Sequence, residues 1–239
     1  MDLGERLMEA LQFRTVFTVR FAGFEVPVTE TVIVTWVVMA ILIAASFLLT
    51  RKLREIPEGS QILLEAVIDF LNSFAKEQFG HKWQRFAPFI GTVFLFLTTA
   101  NLIPVLSPVG AFGIEPSFDI KPPTRDINVT AALSVLSISV VLVSAIVVRG
   151  PVGWARHLAH PTPMMIPFNL LEYLIRPLSL CLRLFGNVLG AFIIMRLIEA
   201  VAPIGIPPIL SLYFDILDGL IQALVFTFLT SLFVAEAIE

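Results

Sequence analysis

Between Val28 and Thr50 the chain runs almost unbroken through apolar side chains, and about 20 such residues are what a helix needs to cross a bilayer. Four further stretches repeat that property, at residues 86–106, 127–148, 164–202 and 209–237. Composition agrees. Of 239 residues 57% are hydrophobic and only 15% are charged, with a mean hydropathy of +0.89, whereas a soluble domain carries about 25% charged residues. The expected fold is therefore an all-α, polytopic membrane protein with about five transmembrane spans.

Two regions fall outside the spans. Residues 1–27 carry Asp2, Glu5, Arg6, Glu9, Arg14, Arg20 and Glu25, and lack the apolar core and small-residue cleavage site of a signal peptide. The first apolar run is thus expected to act as an uncleaved insertion signal, opening a membrane domain over residues 28–239. Residues 58–80 are too polar to span. Ile62, Leu63, Ala66, Val67, Phe70, Leu71 and Phe74 recur there at helical spacing, the pattern of an amphipathic helix lying at the interface. Asn101 and Pro104 interrupt the second span near its end, and Pro/Gly-rich loops are expected over 107–126 and 149–163. Residues 164–202 are broken only by Pro167 and Pro177. At ~1.5 Å per residue they far exceed ~30 Å of hydrocarbon, so this helix must tilt strongly or lie partly along the membrane. A turn over Pro203 to Pro208 would join it to the last helix as a long tilted hairpin.

Loop charges set the orientation. Arg51, Lys52, Arg54, Lys76, Lys82 and Arg85 lie between spans one and two, but only Lys121 and Arg125 between spans two and three. The first loop is expected in the cytoplasm, which puts the N-terminus outside and the C-terminus inside. Three arginines in residues 1–27 pull the other way. Net charge is −3 without a basic tail, so nothing points to nucleic acid. Cys181 is the one cysteine, which excludes an internal disulfide and a Cys-based zinc cage, and a lone buried cysteine reads as packing. His157 and His160 lack the further ligands of a metal site. GxSxG, HExxH, P-loop and GxGxxG patterns are missing from the sequence.

The informative residues are the polar ones inside the apolar runs, since an ionisable group at mid-helix costs roughly 2.5–3.5 kcal/mol on insertion scales. With Arg183 at zero and ~100° per residue, Glu172 falls near −20°, Arg176 near +20°, Asn187 near +40° and Gly190 near −20°. They form one narrow stripe on a helix that also carries Arg196 and Glu199. Glu172 and Arg176 are an i,i+4 pair able to neutralise each other. Arg183 has only Ser179, Leu180, Gly186 and Asn187 at those offsets. It stays protonated, so it needs an acceptor from outside its own helix.

The last helix carries Ser211, Asp215, Asp218 and Gln222 at spacings of four, three and four, one face of an α-helix. Counted from the turn, Arg183 lies ~27 Å and Gln222 ~21 Å along their helices, so an antiparallel hairpin brings them to similar depth. Ser179, Asn101 and Asn128 read as interhelical hydrogen-bond glue, and Arg196 as a snorkelling cation, a reading Arg176 shares with its stripe role.

The segment Pro177-Leu-Ser-Leu-Cys-Leu-Arg183-Leu-Phe-Gly-Asn187 closely resembles the signature of the F-type ATP synthase a subunit. The likeness extends to Ile221-Gln222-Ala223-Leu-Val-Phe, to Pro123-Thr-Arg-Asp126-Ile-Asn128-Val-Thr, and to Gly23-Phe-Glu-Val-Pro-Val-Thr-Glu-Thr, in order along nearly the whole chain. The resemblance implies a stator subunit of a membrane-embedded rotary motor, in the cell (inner) membrane. It would have no cofactor and no catalytic site of its own. Its partners would be a ring of c subunits, peripheral-stalk b subunits, lipid and a translocated proton or Na⁺.

By that resemblance Arg183 would be the essential arginine facing the rotor carboxylate, with Asn187 and Gln222 as polar neighbours and Glu172 lining the exit. Two positions depart from the family pattern. Phe192 stands where many members have an acidic residue, and Asp215 where some have histidine. The external path would then fall to Asp215 and Asp218, with Glu199. The residues alone leave two other classes open: a secondary transporter or channel with its own substrate site, and a membrane-embedded enzyme.

Overall fold

The structure, a computed structural model, describes residues 15–21, 24–51, 53–106, 121–158, 162–201, 210 and 212–238. The expected turn over Pro203 to Pro208, Ser211, His160 and most of the loop after residue 106 lie outside the described residues.

The described residues open with a feature the hydropathy pattern did not announce. Strands β1 (Thr15–Phe21) and β2 (Phe24–Thr29) pair antiparallel, with a bulge between Thr15 and Phe17. Both are rich in the β-branched and aromatic residues that suit a pleated ribbon. The second strand takes Val28 and Thr29 from the expected first span, which begins at Glu30.

Among the described residues six α-helices follow: α1 (Glu30–Thr50), α2 (Ser60–Phe79), α3 (Trp83–Leu102), α4 (Ile127–Leu158), α5 (Ile166–Val201) and α6 (Gly219–Ile238). Among the described residues five helical stretches are long and apolar enough to cross a membrane, so the chain is an all-α polytopic membrane protein behind its strand hairpin. Helix α1 shows why lipid is the solvent: only Thr31 and Val38 are buried, while Trp36, Ile43, Phe47 and Leu48 are exposed. A surface of that length and hydropathy suits hydrocarbon.

Helix α4 outruns the expected span and occupies part of the expected loop. At Gly150 the backbone takes φ 74° and ψ 161°, a conformation nearly restricted to glycine, and the helix resumes at Pro151. Proline suits a first helical turn, where its missing N–H would have no partner anyway. Helix α5 passes Pro177 without a break. The chain before α6 differs from a plain α-helix: Leu212–Asp218 winds as a π-helix, with hydrogen bonds from i to i+5.

The contacts sort into two compact units: Met1–Ala45, Phe96–Val129 and Phe185–Ala223 form the first, and Ser46–Leu95, Thr130–Leu184 and Leu224–Glu239 the second. In the first, Val38 of α1 packs with Ala100 and Ile103 at the end of α3. Asp126 caps α4, its Oδ1 accepting from the Asn128 backbone N–H at 2.9 Å and from Asn128 Nδ2 at 3.0 Å. Its Oδ2 accepts from Thr31 Oγ1 of α1 at 2.8 Å. Asn128, expected as interhelical glue, thus acts locally. The 3₁₀ turn Ile103–Leu106 packs on the π-helix, and Asn101 Nδ2 donates to the Gly219 carbonyl at 3.1 Å.

In the second unit α2 folds back along α3. Phe79 stacks near Phe86 (ring centroids 4.9 Å apart), Leu71 lies against Gly91, and Phe70 approaches Phe94 at 6.2 Å. The pattern of buried Leu71, Ala75 and Phe79 bears out an amphipathic helix. Its apolar arc is wider than one protein-facing stripe, because Ile62, Leu63 and Phe70 are exposed. Ile90, Val141, Ala145 and Val234 join α3, α4 and α6 in a core. Cations cap the end of α6: Lys82 Nζ donates to the Ile238 carbonyl at 3.2 Å and Arg149 Nη2 to the Glu236 carbonyl at 3.3 Å.

Candidate ion-translocation site

Helix α5 carries the polar stripe because its period of 3.6 residues brings positions 172, 176, 183 and 187 to one side. Around them the helix is apolar: Leu174, Leu178 and Leu182 are exposed, each by more than half. Arg183 is exposed on this surface, and among the described residues its guanidinium has no hydrogen bond or ion pair. A fixed cation on a lipid-type surface is an expensive placement.

In the first unit α5 and the last helix meet through two amides. Asn187 Nδ2 donates to Gln222 Oε1 at 2.6 Å. Gln222 is 3% exposed, and its Nε2 is a buried donor without a hydrogen-bond partner among the described residues. The partner of Gln222 is thus Asn187.

The second unit holds the expected Glu172–Arg176 pair, Nη2 to Oε1 at 2.5 Å, and adds a residue the sequence reading missed. Glu236 Oε2 lies 2.9 Å from the same guanidinium, which also sits 4.8 Å from the Phe233 ring centroid. Antiparallel pairing is the signal that could have found it: with 187 opposite 222, position 176 faces 233 and Glu236 follows within a turn. Arg176 is 13% exposed at its side chain while both carboxylates are more than half exposed, so one partly buried cation gathers two accessible acids.

Asp218 is the last residue of the π-helix and half-buried. Asp215 belongs to the same segment and Glu199 to α5, but their side chains lie outside the described residues. Across a π turn the α-helical spacing of four, three and four does not hold. Phe192 lies between two guanidiniums, with Arg125 4.2 Å and Arg196 5.2 Å from its ring centroid. Arg196 thus rests on an aromatic face within the protein.

Residues 32–235 match the family described as ATP synthase A chain. The chain belongs to that family. It is 36% identical over 215 residues to "ATP synthase subunit a" of Moorella thermoacetica, an alignment covering 90% of this chain and 93% of the relative. It is 41% identical over 211 residues to the protein of the same name from Gloeobacter violaceus, covering 88% and 84%. The family likeness therefore spans α1 through most of α6, including Arg183, Asn187, Gln222 and both halves of the Glu172–Arg176 pair.

Proposed function

We propose that this chain is the stator subunit of the membrane motor of an ATP synthase, guiding a proton, or Na⁺, between two half-channels and a partner ring of carboxylate-bearing c subunits. It would sit in the cell (inner) membrane, held by peripheral-stalk b subunits. The observation that carries the reading is Arg183: a permanent cation on an exposed apolar helix face, with no partner among the described residues, in a chain of this family. Such a charge fits a counter-charge that arrives from another subunit.

A continuous pore would dissipate the gradient, so the two half-channels are offset and each ends at mid-membrane. On the outer side the ion passes Asp215 and Asp218, with Glu199, toward the Gln222–Asn187 amides and neutralises a ring carboxylate. Neutral, that carboxyl group turns into lipid at far lower cost than a charged one. On the inner side it loses its proton toward Glu172, which Arg176 orients. Arg183 between the channels favours the ionised carboxylate by lowering its pKa, and repels a proton attempting a direct crossing. Each charge moved through 100 mV supplies ~2.3 kcal/mol, so several must be counted per ATP, which suits a ring.

ATP-driven acidification of inverted membrane vesicles tests the reading. With the complex assembled, Arg183→Ala abolishes pumping; normal pumping in that variant overturns the proposal. Asp215→Ala combined with Asp218→Ala should depress pumping strongly, and a wild-type rate there removes those two residues from the outer path.

A further inference from the structure

The π-helix Leu212–Asp218 gives way to α-helix at Gly219, two helical spacings meeting between the acidic residues and Gln222. Asn101 reaches this junction with a side-chain donor. Its Nδ2 reaches the Gly219 carbonyl at 3.1 Å, and Asn101 is 5% exposed.

The amide cannot turn round. The Gly219 carbonyl can only accept, so Nδ2 must face it, and Thr124, fully buried, donates its hydroxyl to Asn101 Oδ1 at 2.7 Å on the other side. The fit is also steric: a Cβ on Gly219 would come within 3.0 Å of Asn101 Cβ. Any larger residue at 219 would force Asn101 or its backbone to shift. Asn101 therefore holds the junction by a hydrogen bond and a close backbone contact together, on a donor chain from Thr124 through Asn101 to Gly219.

We propose that Asn101 is a positioning residue for translocation. Oriented by Thr124, it clamps the π–α junction and thereby fixes the direction of Asp218 just before the junction and of Gln222 one turn beyond it. This inference rests on the stator reading for the purpose of those side chains, while the clamp itself is a property of the chain.

The test compares Thr124→Val, isosteric but without the donor hydroxyl, with Thr124→Ser, which keeps it, and with Asn101→Ala. ATP-driven pumping by the assembled complex in inverted vesicles is measured across pH, with hydrogen exchange of the amides at 219–223 in the same complex. Thr124→Val and Asn101→Ala should lower pumping by roughly 10- to 100-fold, as misplacement of a reacting group does, and shift its pH profile, because Asp218 meets a different environment. Exchange at 219–223 should rise in both. Thr124→Ser should match wild type in every readout. A role in packing alone would reduce the amount of complex and leave the pH profile of the survivors unchanged, and that result overturns the proposal. Wild-type exchange in Thr124→Val overturns it as well. Arg183→Ala is run alongside: normal pumping there condemns the stator reading, whereas the exchange comparison still judges the clamp.

Discussion

Phe192 shows what a single residue can substitute for. Many members of the family carry an acid at this place, where a carboxylate would answer neighbouring cations. Here the ring lies 4.2 Å from Arg125 and 5.2 Å from Arg196, and its electron-rich face meets positive charge on both counts. Arg125 is fully buried, so the partner it stacks on matters more than it would at a wet surface. Phe192→Leu keeps the apolar volume and removes the quadrupole. It should destabilise the protein by about 0.5–2 kcal/mol, read as a lower melting temperature in detergent, whereas Phe192→Tyr should stay near wild type. Equal melting of the Leu and Phe forms would mean that the ring contributes packing only. The sequence exposed the departure at Phe192 but not its consequence, because the two arginines come from residues 67 and four positions away and only folding brings the first of them near.

Elements differ in how far their pattern could be read. The spans were legible because lipid imposes length and hydropathy together, and α1, α3 and α5 begin within three residues of expectation. The strand pair also had a signal: β-branched and aromatic residues on either side of Ala22-Gly23, overshadowed by the apolar run that follows. The π-helix had almost none, since hydropathy carries no mark of i+5 bonding, and Gly219 is its one trace. The kink in α4 is intermediate. Gly150-Pro151 reads as a loop, yet the backbone uses the pair to end one helix and start the next. That use can be tested. Nothing lies within 4 Å of a Cβ placed on Gly150, so space is not at issue, but φ 74° with ψ 161° is. Gly150→Ala should therefore cost about 1–3 kcal/mol through the backbone alone, read as a lower melting temperature in detergent. An unchanged temperature would show that the two halves of α4 can join at another angle without loss.

At the scale of the molecule, charge is distributed with a bias. The second compact unit contains Arg51, Lys52, Arg54, Lys76, Lys82, Arg85, Arg149 and Arg156, as well as Arg176 and Arg183, while the first holds Lys121, Arg125, Arg196 and the three arginines before the first span. Membrane insertion retains Lys and Arg of short loops on the cytoplasmic side. By that rule the basic loops after α1 would belong inside and the strand hairpin ahead of α1 outside, with α1 crossing once between them. Cys181 is buried and is the chain's one cysteine, which makes the orientation measurable. In a Cys181→Ser background, Thr18→Cys on β1 and Glu55→Cys after α1 each put one thiol at an exposed position on opposite sides of that crossing. A membrane-impermeant maleimide should label Thr18→Cys in right-side-out vesicles and Glu55→Cys in inverted ones. The reverse pattern would place Arg51, Arg54 and their neighbours outside, and with them the Glu172–Arg176–Glu236 cluster assigned to the inner outlet. The proposed direction of ion flow through the two half-channels would then have to be exchanged end for end.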